Sequence, residues 1–197
     1  GSARDIASKH VMDEVGLREA LEPLMAEQGA TTPEEVLTAL RVGIYNEMVS
    51  DPAVIRANES PHTTGLLRVA KETFCGTALA TMSQRKEALH VLRALDLEFY
   101  LDVILSREDV KNAKPDPEIY LLAAERLGVP PVECLVLEDS VMGVRSGVAA
   151  GMSVVAVATP FTECSLQREL PVPEEWIVRE PEALVDVVRR RIEEHNR

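Results

Sequence analysis

The chain has 197 residues, enough for one domain or one domain with a small satellite, and enough to bury a core without disulfides or a structural metal. Its 21 Lys and Arg against 33 Asp and Glu give a net charge of −12, a field that repels nucleic-acid backbones and anionic lipid. No nucleic-acid partner and no membrane are therefore expected, and any phosphate must be met by a local pocket.

With 46% hydrophobic and 27% charged residues the composition is that of a folded globule, and no stretch approaches the roughly 18 apolar residues of a membrane span. The three cysteines, Cys75, Cys134 and Cys164, are far apart with no CxxC spacing, so neither a disulfide framework nor a thiolate zinc site is encoded. A reducing, cytoplasmic setting is expected.

From Ile6 to Arg56 the apolar residues recur at helical spacing: Ile6, Val11, Val15 and Leu17, then Leu21, Leu24 and Met25, then Val36, Leu37, Leu40, Ile44 and Met48. Thr32 before Pro33 and Glu34 reads as a helix start, with the hydroxyl as cap and proline at the first position. Residues 1–59 are predicted to form a small all-helical domain, closed by the turn-like Asn58-Glu59-Ser60-Pro61.

Residues 60–197 change character. Short apolar runs at Thr77–Ala80, Val103–Leu105, Leu135–Leu137, Val154–Val157 and Trp176–Val178 alternate with amphipathic stretches at Thr63–Lys71, Arg85–Leu95, Pro117–Leu127, Met142–Ala150 and Pro181–Glu194. Strand and helix in alternation predict an α/β, Rossmann-like parallel sheet with helices on both faces. Ligands bind such sheets beyond the carboxyl ends of the strands, so the chemistry is sought there.

The first run leads into Thr81-Met82-Ser83. Hydroxyls at a strand-to-helix junction beside free N–H groups suit a phosphate, or Ser83 simply caps the helix. Lys114 stands before Pro115, Asp116 and Pro117, with Asp116 read as the cap of the next helix and Gly128 at its end. It is held well enough to neutralise an oxyanion, or it is solvated. Leu135–Leu137 runs into Glu138-Asp139-Ser140, where adjacent carboxylates at a strand end suit Mg²⁺, or Asp139 or Ser140 caps the next helix. That helix is read as placing Gly143, Gly147 and Gly151 four apart on one face, allowing close approach to the sheet. His10, His62, His90 and His195 show no ligand spacing, and there is no GxGxxG, no GxxxxGK[ST] and no GxSxG.

Thr-x-Ser after a strand, Lys-Pro-Asp-Pro about thirty residues on, and Leu-Glu-Asp-Ser-x-x-Gly-x-x-Ser-Gly leading to Ala-Gly-Met together resemble the haloacid dehalogenase superfamily. The similarity is to the branch that includes beta-phosphoglucomutase and phosphoglycolate phosphatase, and it runs from Ser60 to about Pro160. The resemblance implies that 1–59 is a helical cap domain over a core domain at 60–197. It implies a Mg²⁺-dependent phosphatase acting on a small phosphorylated metabolite. Thr81, with Met82 and Ser83, would bind phosphate, Lys114 would neutralise phosphate and nucleophile, and Asp139 would ligate Mg²⁺. Glu138 would ligate it through water or stand behind it.

The family's first motif, a buried strand ending in Asp-x-Asp, occurs nowhere in the sequence. The expectation is a core lacking its first strand, with Ser2-Ala3-Arg4-Asp5 following just downstream of that motif. The 197 residues alone are then expected to be inactive, and an open sheet edge leaves room for a homodimer. Two alternatives stay open: a phosphomutase, and a non-catalytic phosphate-binding or interaction module on the same fold. Arg41, Arg56 and His62 are polar residues near the cap and hinge that either contact substrate or face solvent.

Overall fold

The computed structural model describes residues 17–169 and 172–196. Ile6, His10, Val11 and Val15, and the side chain of Arg41, lie outside the described residues. The chain divides into two compact units between Ile55 and Arg56.

Every described element of the first unit is helical: α1 (Leu17–Gln28), α2 (Pro33–Ser50) and the start of α3 (Pro52–Ala57). α2 begins where the sequence places it. Thr32 Oγ1 accepts from Glu35 N–H at 3.3 Å and Glu35 Oε2 accepts from Thr32 N–H at 3.2 Å, a reciprocal cap. Leu21 and Val36 are buried between α1 and α2, with Leu24, Met25 and Leu40 packed around them.

The second unit alternates α4 (Pro61–Glu72), β1 (Ala78–Ala80), α5 (Arg85–Ala94), β2 (Val103–Leu105), α6 (Glu118–Leu127), β3 (Leu135–Glu138), α7 (Val141–Ala149), β4 (Ser153–Val157), α8 (Glu163–Glu169), β5 (Ile177–Val178) and α9 (Leu184–His195). Valines and alanines of β3 and β4 pack with Ile119 and Ala123 of α6, Val144 of α7 and Leu184 and Val188 of α9 in one continuous core. The sequence pattern misses α8, a seven-residue helix with Leu166 its one buried residue, because so short an element never accumulates a 3.6-residue period.

Strand pairing is parallel throughout the described residues, but the strands form two sheets rather than one: β1 with β2, and β3 with β4 and β5. The reason lies in where the main chain points. Thr77 O accepts from Val103 N–H and Thr81 N–H donates to Leu105 O, so odd residues of β1 face β2 and Ala78 and Ala80 face away from it. Cys134 O accepts from Ser153 N–H, so even residues of β3 face β4 and Leu135 and Leu137 face away. Two open edges result, and among the described residues no strand lies between them.

The glycines of α7 act differently from one another. A Cβ on Gly147 would stand 2.9 Å from Val154 Cγ2 and 3.4 Å from Val136 Cγ1, so its bareness lets α7 sit close on the sheet, as expected. Gly151 makes no close approach. Its φ of +74° is a left-handed conformation that turns the chain past the end of α7.

Asp102, just before β2, fastens the opposite end of the β1–β2 sheet. Its Oδ2 accepts from Thr77 N–H at 3.0 Å and Thr77 Oγ1 at 3.1 Å, and its Oδ1 pairs with Lys71. The Lys71 hydrogen bond first, and the Thr77 bonds after it, pull the Asp102 carboxyl down to about 2. A carboxyl depressed in the fold stabilises it fully above the unfolded value of about 3.9, and that contribution is lost as pH falls through the folded value. The melting temperature of Asp102→Asn is therefore expected to fall less steeply than that of the parent between about pH 4 and pH 2. Parallel slopes in the two proteins would remove Asp102 from this role.

Candidate active site

Thr81, Lys114 and the Glu138–Asp139 pair, far apart in sequence, converge at the carboxyl ends of β1 and β3, where open parallel sheets bind ligands. At the end of β1, Thr81 Oγ1 accepts from Ser83 N–H at 3.1 Å, which folds 81–83 into a tight turn and leaves the Thr81 hydroxyl proton free to donate. Ser83 is not the cap of α5; Gln84 is. The helix end is also already occupied. Glu87 accepts from Gln84 N–H at 3.3 Å, and Glu108 accepts from Arg85 N–H at 3.1 and 3.2 Å. The turn of residues 81–83, rather than the terminus of α5, is what this strand end offers to a phosphate.

The loop bearing Lys114 is tied down along its length. Glu118 of α6 accepts from Lys111 N–H at 3.0 Å and Asn112 N–H at 2.8 Å, which holds its carboxyl below the ordinary range. Buried Ser146 of α7 donates to Asp116 O at 2.7 Å. The Lys114–Pro115 peptide is cis. The cap of α6 is Pro117 rather than Asp116, although Asp116 Oδ1 still accepts from Glu118 N–H at 3.0 Å, and Gly128 closes the helix at φ 69°.

Lys114 is not solvated. Its side chain is 9% exposed, and Nζ donates to Ala80 O at 3.0 Å, to the Tyr120 hydroxyl at 3.0 Å, and to Glu138 Oε1. Since Ala80 O points away from β2, the ammonium reaches across the open space between the two sheets and links the end of β1 to the end of β3.

Glu138 is equally enclosed, at 9%. Oε1 accepts from Lys114 and, at 2.6 Å, from the Tyr120 hydroxyl. Oε2 accepts from Asp139 N–H at 3.1 Å, Ser140 N–H at 3.3 Å and Ser140 Oγ at 3.1 Å. Burial pushes this carboxyl up, but the Lys114 charge and hydrogen bond, with those of Tyr120 and Ser140, outweigh it and hold it below the ordinary value. Ser140 caps α7, accepting from Gly143 N–H at 3.0 Å. Asp139 stands exposed beside it. Partial desolvation first, and the Glu138 charge second, raise its carboxyl above the ordinary value.

Sequence reasoning missed Tyr120. Its place on the buried face of α6 reads as packing, and the one signal available was a hydroxyl among aliphatic neighbours, which a buried site has to satisfy. Burial pushes its phenol far up, with the Glu138 charge adding to this, so it stays protonated and donates. The remaining polar candidates stand elsewhere. Arg56 donates to Ala94 O at 3.3 Å, His62 is half-buried on α4, and His195 pairs with Glu133 at 3.2 Å.

Gly143 makes the inward turn of Glu138 possible, because a Cβ there would overlap the Glu138 carboxylate. Gly143→Ala is expected to expel that carboxylate from Lys114 and Tyr120 and to cost about 1–3 kcal/mol, read as a lower urea midpoint. An unchanged midpoint would mean that Glu138 has a second resting place of equal energy.

Among the described residues no group of three or more His, Cys, Asp or Glu is placed to hold a metal. Both Glu138 oxygens are committed, and Asp139 supplies one exposed carboxylate. One or two carboxylates completed by water and phosphate oxygens is the set Mg²⁺ takes, so Asp139 fits as a ligand without forming a closed site. Nor is any described helix long and apolar enough to cross a membrane.

Residues 2–151 match the haloacid dehalogenase-like hydrolases, and the chain belongs to that family. It superposes on a solved structure described as a putative beta-phosphoglucomutase from Thermotoga maritima with a TM-score of 0.64 and 32% identity, over 96% of this chain and 84% of that one. Among curated proteins, a phosphorylated carbohydrates phosphatase of Thermotoga maritima is 48% identical over 94 residues, covering 48% of this chain and 44% of that protein. A fructose-1-phosphate phosphatase of Escherichia coli is 40% identical over 80 residues, 41% of this chain and 43% of that protein. The matches thus span less than half the length of these two relatives.

Proposed function

We propose that this chain carries the phosphate- and metal-binding part of a phosphatase acting on a small phosphorylated sugar. The observation that carries the reading is Lys114, held as a buried cation between the ends of β1 and β3, with Thr81 on one side and Asp139 on the other. Phosphoryl transfer needs little from a protein beyond positioning and charge stabilisation, and these groups supply both. The Thr81 hydroxyl and the turn through Met82 and Ser83 hold phosphoryl oxygens. Lys114 neutralises them. Asp139 would hold Mg²⁺, which would supply further positive charge against the phosphoryl group, and Glu138 behind it fixes Lys114. The names of the Thermotoga maritima and Escherichia coli relatives support a sugar phosphate as substrate.

The nucleophile comes from outside these 197 residues, which contain no Asp-x-Asp. The open edges of β1 and β3 suit one further parallel strand, which would bring such a motif beside Lys114, and the helical first unit then serves as the cap. The test is phosphate release from hexose phosphates by this chain fused behind an apolar strand ending in Asp-x-Asp. Turnover that needs Mg²⁺ and is lost in Asp139→Asn is expected; turnover indifferent to Asp139 would refute the assignment.

The missing motif also favours a second reading, a phosphate-binding module without chemistry. Phosphate or a sugar phosphate bound by the chain, with no hydrolysis even after the strand is supplied, would establish it.

A further inference from the structure

Lys114 has three N–H protons, and three acceptors hold them: Ala80 O, the Tyr120 hydroxyl and Glu138 Oε1. A phosphoryl oxygen can bond this ammonium only by replacing one of them. With no strand seated between the sheets, Ala80 O lies at an open edge, and among the described residues Lys114 is the donor that satisfies it. Glu138 is the counter-charge, and parting two nearly buried charges is costly. The Tyr120 hydroxyl is neutral and keeps its 2.6 Å bond to Glu138 when Lys114 turns away, so it is the least costly partner to release.

We propose that Tyr120 is a positioning residue that holds the third proton of Lys114 in the empty site and yields it to an incoming phosphate oxygen. The ring remains when the hydroxyl is released. Its centroid is 4.7 Å from the ammonium, so Tyr120 goes on walling the Lys114 side of the site. The inference rests on Lys114 being the phosphate-binding lysine, as proposed above.

The test is calorimetric titration of the chain with inorganic phosphate, paired with thermal unfolding, for the parent and Tyr120→Phe. The variant removes one oxygen and keeps the ring, and its unliganded melting temperature checks the fold. It is expected to melt lower, having lost two hydrogen bonds, yet to bind phosphate about tenfold tighter, because phosphate no longer displaces a bond to a charged group. A packing role would lower both. Equal or weaker phosphate binding by a folded Tyr120→Phe overturns the proposal.

The double variant Lys114→Met with Glu138→Gln, which removes both charges together, separates the two levels. Phosphate binding that survives in it places the phosphate elsewhere and refutes the reading of Lys114. Binding lost there, with no gain in Tyr120→Phe, refutes the role of Tyr120 alone.

Discussion

Lys114→Met is expected to destabilise the chain by about 3–5 kcal/mol, more than its replacement by a side chain of similar length would suggest, because the loss falls on the partner left behind. Glu138, at 9% exposure, would keep its bonds from Tyr120 and Ser140 but no positive charge, and the burial that already pushes its carboxyl up would go unopposed. Ala80 O would lose its donor as well. Glu138→Gln in the same chain should return a large part of the loss, since a neutral amide needs no counter-charge. Urea unfolding of the parent, both single variants and the double measures this coupling. A double variant as unstable as the sum of the singles would mean that the two residues do not act as a unit.

Supplying the strand is expected to have the largest effect on activity. A parallel strand between β1 and β3 would bury about four aliphatic side chains at 1.5–3 kcal/mol each, roughly 6–12 kcal/mol before ordering costs, an amount of the order of a domain's whole net stability. Fused ahead of residue 1, such a strand ending in Asp-x-Asp should raise the melting temperature and give phosphate release where residues 1–197 alone give none. Replacing the first of its aspartates by Asn should keep the thermal gain and abolish turnover, which separates folding from chemistry. Asp139→Asn in the completed protein should keep the gain and lower kcat/KM about a hundredfold or more. Turnover by residues 1–197 without the strand would overturn the proposal that the nucleophile is external.

What could be read from the sequence divides along a physical line. Alternating apolar runs and helical periods give the α/β core and the helical first unit, because burial imposes those periods on the residues themselves. Thr81, Lys114, Glu138 and Asp139 each lie near a strand end or ahead of a helix, a weak signal singly, and it is the family resemblance of the ordered set that gives them roles. Their mutual commitments do not show, because those are set by tertiary contact: that Lys114 is buried, that Glu138 turns inward onto it, and that Tyr120 stands between them. Gly143 illustrates the difference. Its spacing from Gly147 suggests helix-on-sheet packing for both, yet Gly143 makes room for a carboxylate five residues earlier, a contact no period encodes. The capping of α5 by Gln84 was missed for a similar reason, since Glu108, which occupies the first N–H of that helix, arrives from beyond β2.

The divided sheet also has a consequence for solvent exchange. In β1 and β3 every second residue directs its amide into the ladder with β2 or β4, while Ala80, Leu135 and Leu137 direct theirs at the open space. Among the described residues these two strands thus carry the alternating pattern of an edge, protected and unprotected amides in turn. Those unprotected positions form a native occupancy gauge: their proton exchange would slow once a strand is seated, with no label attached and no catalysis required.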